Sequence, residues 1–183
     1  MNIIVITADG HVRCRPDTTW EREDKDIYAP EQVSSYSYSP VLFARISKAG
    51  KCIGEKFVDR YYDAVNYGML LYAATADEPS CEIMDHSSIL PFPMYDRCTL
   101  SSADNEFRIM TGEDVIYSTA AGPENLIKDA LVKASRLVSV RIGDIVAVEL
   151  APAAALVSRA GGPETRLRGS FCENPLFDLK IIM

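Results

Sequence analysis

The chain lacks any long run of apolar residues. Nowhere do about 18 consecutive apolar residues occur, the length that a membrane-spanning helix requires. The first residues, MNIIVITADGHVRC, also lack the basic start and the small-residue cleavage site of a secretory signal. From these absences we expect a cytoplasmic protein. Its 183 residues, with 48% hydrophobic content, are enough to bury a core of their own.

Paired cysteines and neighbouring histidines are missing as well. The five cysteines contain no Cys-x-x-Cys pair, a pattern typical of reduced, mostly buried thiols in the cytoplasm. The two histidines, His11 and His86, stand far apart in sequence, so the closely spaced ligands of a zinc site are absent. We therefore expect core thiols at Cys14, Cys52, Cys81, Cys98 and Cys172.

Positive charge is scarce and scattered. Lysine and arginine total 19 against 26 acidic residues, for a formal net charge of -7. A nucleic-acid surface needs clustered basic residues, so we expect no nucleic-acid partner. The basic residues, Arg13 and Arg15 among them, are predicted to lie on a solvated surface. The short AGG segment at residues 160–162 does not fit a phosphate-binding loop, and no nucleophile-elbow motif supports serine catalysis.

What the sequence does contain is a succession of strand patterns around one helix. Residues 1–7, 41–47 and 64–75 are β-branched or apolar, and EFRIMTGEDVIYSTA is typical of a hairpin. The segment from Glu124 onward places apolar residues on one helical face that ends with Leu137 and Val138, and Pro123 suits its first turn. A Gly143-Asp144 turn then leads into the strand IVAVEL, with Asp144 expected to bond its own backbone.

The N-terminal region is predicted to stand apart from the rest. Residues 15–40 are polar, with prolines near both ends, and carry four aromatic residues that favour docking onto the body or onto a partner subunit. We therefore divide the chain into an N-terminal strand and arm, residues 1–40, and a main domain, residues 41–183. Many short strands with one good helix indicate a β-rich α+β fold.

The order of these elements resembles the C-terminal catalytic domain of the fumarylacetoacetate hydrolase family. In that family a hairpin with an Asn-Gly-Glu turn precedes a helix that ends near a Ser-Arg pair, followed by a Gly-Asp turn and a strand. The matching residues here read Thr111-Gly112-Glu113, Ser135-Arg136 and then VRIGDIV at residues 140–146. The segments SPVLFARIS and PFPMYDRCTL are similar to earlier strands and turns of the same family.

The resemblance implies a mixed β-roll that forms a homodimer. It also implies a divalent cation of the Mg or Ca class, held by a Glu-x-Glu pair on one strand and by a later aspartate. Such a cation polarises a small oxo-acid for carbon–carbon hydrolysis, decarboxylation or isomerisation. Residues two apart on a strand point to the same side, which suits a pair of ligands.

The implied metal ligands are replaced in this chain. The Glu-x-Glu positions fall on Ala64 and Asn66, where alanine offers no ligand and asparagine only one neutral oxygen. The interval of residues 72–90 is too short for the family's third ligand and active-site lysine. The resemblance thus implies a degenerate metal site with no cofactor, the alternative being a rebuilt Mg or Ca site.

A small set of residues could rebuild a site locally. Asp59 and Asp63 flank an Arg-Tyr-Tyr segment and are the candidate metal ligands, with a solvated strand entrance as the alternative. Asp85 and His86 are the candidate catalytic pair, with histidine as base, and an exposed loop pair without a role is the alternative. Candidate substrate-binding residues are Asn66 and Glu149.

Three functions remain open from the sequence. The first is a divergent protein of this family without metal chemistry, which binds a small oxo-acid or acts as a structural homodimer. The second is an active divalent-metal hydrolase, decarboxylase or isomerase whose ligands come from Asp63, Asp85 or Glu149. The third is a β-rich domain unrelated to the family.

Overall fold

Two β-sheets and one long helix make up the described part of the chain. The structure is a computed structural model and describes residues 1–102, 104–120 and 124–183. In chain order the elements are β1 (Asn2–Ile6), β2 (Val12–Pro16), β3 (Trp20–Glu21), β4 (Ile27–Tyr28), β5 (Ser35–Ile46), β6 (Tyr62–Ala74), β7 (Ser88–Ile89), β8 (Glu106–Thr111), β9 (Asp114–Ala120), α1 (Asn125–Leu137), β10 (Ile145–Glu149), β11 (Ala154–Ser158), β12 (Glu164–Phe171) and β13 (Asn174–Ile182). Short 3-10 turns span Asp17–Thr19, Glu55–Arg60 and Arg97–Ser101.

The larger sheet has eight strands and curls into a half-barrel. Its order is β2-β1-β10-β5-β6-β7-β3, with β11 paired to β5. The two ends of this path, β2 and β3, are consecutive in the chain, so the Asp17–Thr19 turn joins one end of the sheet to the other. The smaller sheet has the order β4-β13-β12-β8-β9.

The larger sheet buries both of its faces. Along β6, Tyr67 belongs to a core shared with Leu131 of α1 and Phe107 of the smaller sheet. Leu70 points the other way, into the curl, where it packs with residues such as Phe43. Side chains alternate between faces with a period of two, so a strand buried on both sides reads as a continuous apolar run. This explains the predicted strand at residues 64–75.

The strands, hairpin and helix expected from the sequence are confirmed, together with the β-rich α+β class and its β-roll architecture. The turn role of Asp144 is also confirmed, since its carboxylate accepts from the backbone N–H groups of Arg141 and Asn2, each at 2.8 Å. Pro123 lies outside the described residues. Among those that are described, no helix has the length and apolar character needed to cross a membrane.

Other expectations differ from the structure. Strand β5 begins at Ser35, so the division placed at residue 40 falls inside this strand, and strands β11 and β12 were not expected from the sequence. The expectation of core thiols is wrong, because none of the five cysteines is fully buried. Leu137 and Val138, at the end of the predicted apolar face of α1, are 64% and 38% exposed.

Candidate functional site

The positions implied for a metal lie on β6 and face the interior of the curl. Asn66 is fully buried, and its amide nitrogen donates to the backbone carbonyls of Pro91 at 3.2 Å and Pro93 at 3.0 Å. Its side-chain oxygen accepts from the Tyr67 backbone N–H at 2.8 Å. The amide therefore ties β6 to the turn at residues 91–93, and its oxygen already has a hydrogen-bond donor.

These positions do not fit a divalent cation. Hard cations take several oxygen ligands, usually carboxylates, around one point. Ala64 supplies no oxygen, and Asn66 supplies one neutral oxygen that already accepts a hydrogen bond. Within residues 1–102, 104–120 and 124–183, no group of three or more His, Cys, Asp or Glu side chains is placed to hold a metal ion.

The two candidate metal ligands each bind a basic side chain instead. Asp63 accepts two hydrogen bonds from Arg45, from Nε at 3.1 Å and from Nη2 at 2.8 Å, a bidentate arrangement. Asp59 contacts Lys128 Nζ at 2.9 Å and Arg97 Nη1 at 3.3 Å. The hydrogen bond to Asp59 raises the pKa of Lys128. All these groups are partly exposed, so they are surface ion pairs of modest energy.

The candidate catalytic histidine pairs with a different acid from the one expected. His86 Nδ1 lies 2.8 Å from Oε2 of Glu21, whose side chain is only 3% exposed. The second Glu21 oxygen accepts from the Glu23 backbone N–H at 2.7 Å. Asp85 is exposed. Sequence reasoning missed Glu21 because it lies 65 positions from His86, and only the β3–β7 pairing brings the two together.

Glu149, the remaining candidate, forms part of the wall of an open cleft. Its Oε2 accepts from the Ala8 backbone N–H at 2.8 Å, and its Oε1 accepts a hydrogen bond from the Tyr72 hydroxyl. The cleft has a volume of about 790 Å³ and lies where β1 and β10 end. Its lining comprises Thr7, Ala8, Asp9, Arg13, Tyr72, Glu78, Ser80, Cys81, Glu82, Ile83, Glu149, Pro152 and Ala153.

Two groups of opposite charge act on the Tyr72 phenol. Burial raises the pKa of Tyr72, the positive charge of Arg15 opposes that rise, and the hydrogen bond to Glu149 adds to it. The net effect is a raised pKa, so the phenol stays protonated and acts as a donor to the carboxylate. This pair fixes the Glu149 side chain against the cleft wall.

Arg15 lies beneath this wall, which corrects the expectation of a solvated side chain. It is fully buried, and its guanidinium carbon is 4.5 Å from the centre of the Tyr72 ring, within the range of a cation–π contact. Its Nη1 donates to the backbone carbonyls of Leu71 at 3.0 Å and Ser87 at 3.3 Å. Its Nε and Nη2 have no hydrogen-bond partner among the described residues. Arg15 thus links β2 to β6 and to the segment before β7, where the sheet curls.

Negative charge predominates in the cleft lining. Four carboxylates (Asp9, Glu78, Glu82 and Glu149) face a single lining cation, Arg13. Since like charges repel, this arrangement disfavours an anionic ligand. The cleft also lies away from the implied metal positions, because Tyr72 is six residues beyond Asn66 on β6, roughly 20 Å along an extended strand.

Comparisons with known proteins give a clear result only at the level of structure. No family model matches the chain, and a search of curated proteins finds no match. Fumarylpyruvate hydrolase from Pseudomonas aeruginosa, in complex with Mn²⁺ and pyruvate, is similar with a TM-score of 0.78 and 13% identity, over 100% of this chain and 90% of that one. A proposed fumarylacetoacetate hydrolase family protein from Yersinia pestis has a TM-score of 0.76 and 15% identity, over 99% of this chain and 92% of that one.

A third similar structure carries an isomerase name. It is 5-carboxymethyl-2-hydroxymuconate delta-isomerase from Mycobacterium smegmatis, with a TM-score of 0.77 and 11% identity, over 99% of this chain and 78% of that one. These high TM-scores at low identity are evidence of a shared architecture rather than of a shared activity. The chain therefore has the fold of the fumarylacetoacetate hydrolase family.

Proposed function

We propose that this chain belongs to the fumarylacetoacetate hydrolase family by descent and lacks its divalent-metal chemistry, acting as a binding or structural protein that pairs with a second copy of itself. The observation that carries the proposal is the state of Asn66. Its side chain is fully buried and bonded to Pro91, Pro93 and Tyr67, so it holds the roll together where a metal ligand is implied. A neutral residue used in this way supports a structural role for the position.

The alternative, an active enzyme with relocated ligands, receives less support. Asp63 is held by Arg45, and Glu149 is held by Tyr72 and Ala8. Asp85 is exposed and does not contact His86 through any described hydrogen bond. A metal centre needs three or more oxygens around one point, and these three acids belong to separate contact networks.

Self-association is supported by apolar surface at one end of α1. Leu137, Val138 and Ile142 lie close together in sequence, at the end of α1 and in the connection to β10, and they are 64%, 38% and 73% exposed. We term these three residues the helix-end patch. Contiguous exposed apolar surface is a feature of interaction sites. An oxo-acid ligand is less well supported, because the cleft lining is mainly acidic.

A thermal unfolding scan tests the metal part of the proposal. We expect the melting temperature to stay the same with Mg²⁺, Mn²⁺ or Ca²⁺ present, because a ligand stabilises a protein by RT ln(1 + [L]/Kd) only if it binds. The control is Asp63→Asn, which removes one candidate ligand. A saturable rise in the wild type that disappears in this variant would show metal binding at Asp63 and contradict the proposal. Pyruvate in the same scan tests oxo-acid binding.

A further inference from the structure

One edge of the Arg15 guanidinium group is buried and is bound by no described residue. The side chain is fully buried, and its Nε and Nη2 atoms, which form this edge, have no hydrogen-bond partner. No other buried side-chain nitrogen or oxygen atom in residues 1–102, 104–120 and 124–183 lacks a partner. Buried polar groups are normally hydrogen-bonded, because leaving one unsatisfied costs free energy. We term this pair of nitrogens the free edge, and we expect it to have an acceptor.

The same edge binds a carboxylate in two other arginines of the chain. Nε and Nη2 of Arg45 donate to the two carboxylate oxygens of Asp63, at 3.1 Å and 2.8 Å. Nε and Nη2 of Arg166 donate to the two carboxylate oxygens of Asp178, at 2.7 Å and 2.6 Å. The planar guanidinium group matches a carboxylate through two parallel hydrogen bonds, which a spherical ion cannot accept in the same way. The free edge of Arg15 therefore has the chemistry of a carboxylate site.

The rest of the Arg15 guanidinium group is fixed by neutral partners. Its Nη1 donates to the carbonyls of Leu71 at 3.0 Å and Ser87 at 3.3 Å, and it lies 3.3 Å and 3.4 Å from the hydroxyls of Ser87 and Ser88. The Tyr72 ring packs against the guanidinium group, 4.5 Å from its carbon. A buried charge is normally paired with an opposite charge. An anion at the free edge would therefore satisfy two donors and balance the charge of Arg15 at once.

The acidic cleft lies next to Arg15 and limits the charge of a ligand that could reach it. Arg13 and Arg15 are two positions apart on β2, so their side chains leave the strand on the same side, and Arg13 lines the cleft. Tyr72 packs on Arg15 and also lines the cleft, where it is 8% exposed. The four carboxylates of the cleft lining disfavour a ligand with several negative charges. A small ligand with one carboxylate matches the single charge of Arg15.

We propose that the free edge of Arg15 binds the carboxylate of a small monocarboxylic acid, which enters from the cleft past Tyr72. The site uses neither the positions implied for a metal, Ala64 and Asn66, nor the helix-end patch. Its test is therefore independent of the proposed function. A buried water molecule is the competing acceptor, since ordered water also satisfies buried polar groups, and the experiment below separates the two.

The test is a titration of the full chain with sodium acetate at neutral pH, with sodium chloride at equal concentration as the probe without a carboxylate. ¹H–¹⁵N NMR spectra report on the Nε–H group of Arg15, and correlations along its side chain assign the signal. We expect acetate to shift this signal saturably, with a Kd below about 10 mM, and to raise the melting temperature with the same concentration dependence. Chloride should do neither.

Two variants separate the planar edge from its positive charge. Arg15→Lys keeps the charge but removes the paired nitrogens, so acetate should bind at least about 10-fold more weakly than it binds the wild type. Arg45→Lys is the matched control, because Asp63 already occupies the edge of that arginine. It should leave the response to acetate unchanged.

Three results would overturn the proposal. The first is an Nε–H signal of Arg15 that acetate leaves unchanged, as expected if water is the acceptor, and this result comes from the wild type and does not depend on the folding of a variant. The second is an equal shift with acetate and chloride, since charge alone would then be recognised. The third is undiminished acetate binding in Arg15→Lys, because the paired nitrogens would then have no part in it.

Discussion

At the scale of single residues, two buried polar side chains connect parts of the fold, and their burial is not evident from the sequence. Asn66 and Arg15 are both fully buried, and neither could have been recognised as buried from the sequence, because asparagine and arginine are mostly exposed in proteins. Their partners are mainly backbone carbonyls at Leu71, Ser87, Pro91 and Pro93, which leave no pattern in the side chains of a sequence. The resemblance to the family implies a metal position at residue 66, and it gives no sign that the amide there bonds to the turn at residues 91–93.

Asn66→Asp tests the role of this amide. The substitution keeps the shape but replaces a donor to two carbonyls with a carboxylate, so we expect a loss of about 2–4 kcal/mol in the free energy of unfolding. Urea denaturation at neutral pH measures it. Asn174→Asp, at an exposed position whose amide donates to Cys172, is the matched control and should change stability by less than about 0.5 kcal/mol. Equal effects of the two variants would contradict the structural role.

Arg15 allows a separate comparison of charge and volume. Arg15→Met removes a buried charge that has two unpartnered nitrogens while filling most of the space, so we expect a cost below about 1.5 kcal/mol. Arg15→Ala leaves a cavity under Tyr72 and should cost about 3–5 kcal/mol. Chemical denaturation of both variants gives the two values. If methionine proves as costly as alanine, the hydrogen bonds of the guanidinium, rather than its volume, hold the sheet in its curl.

At the scale of elements, local patterns predicted strands well and their pairing poorly. Strand β6 and the β8–β9 hairpin follow from apolar runs and turn residues. Strand β12 was missed because arginine, glycine and serine make up half of it, and strand β11 because it is short and begins with two alanines. Both are ordered by pairing, β11 with β5 and β12 with β8 and β13. The Glu21–His86 contact likewise depends on the pairing of β3 with β7.

At Gly68, strand β6 approaches the backbone of strand β7 closely. A Cβ atom at this position of β6 would lie 2.3 Å from the Ile89 carbonyl oxygen of β7, a backbone atom that cannot turn aside. We expect Gly68→Ala to destabilise the protein by about 2–3 kcal/mol. Gly54→Ala is the matched control, because its nearest neighbour is a Phe57 side-chain atom 3.9 Å away. Thermal unfolding of the two variants decides, and a stable Gly68→Ala would mean that β6 and β7 are farther apart.

At the scale of the whole molecule, ionisation of buried tyrosines should set the alkaline limit of stability. Burial raises the pKa of both Tyr62 and Tyr72, and their carboxylate partners, Glu124 and Glu149, raise it further. The unfolded chain loses these protons near pH 10, whereas the native state retains them, so stability is full below that pH and falls as the pH rises above it. The expected slope is about 1.4 kcal/mol per pH unit for each tyrosine.

Urea denaturation between pH 8 and pH 11 measures how steeply the free energy of unfolding falls with pH. Tyr72→Phe should reduce it, and Tyr28→Phe, at a residue that is 71% exposed, should leave it unchanged. If both variants keep the wild-type slope, Tyr72 does not retain its proton in the native state.

The proposed self-association through the helix-end patch is tested at the scale of the whole molecule. Leu137→Asp places a charge in the helix-end patch and should convert a dimer into a monomer, because a buried unpaired charge at an interface is costly. Val115→Asp, at another exposed apolar position (52% exposed), is the control and should leave the molar mass unchanged. Light scattering after size exclusion reports the mass. A wild-type monomer at every concentration would contradict the pairing of two copies.

The central claim is that the roll survives while its metal positions no longer bind a divalent ion. Titration with Mn²⁺, followed through paramagnetic broadening in ¹H–¹⁵N spectra, tests it residue by residue. We predict no selective, saturable broadening around Ala64 and Asn66, and none centred on Asp59 and Asp63 beyond the weak effect that any surface carboxylate shows. Selective broadening that saturates with one equivalent of Mn²⁺ at either pair would contradict the account.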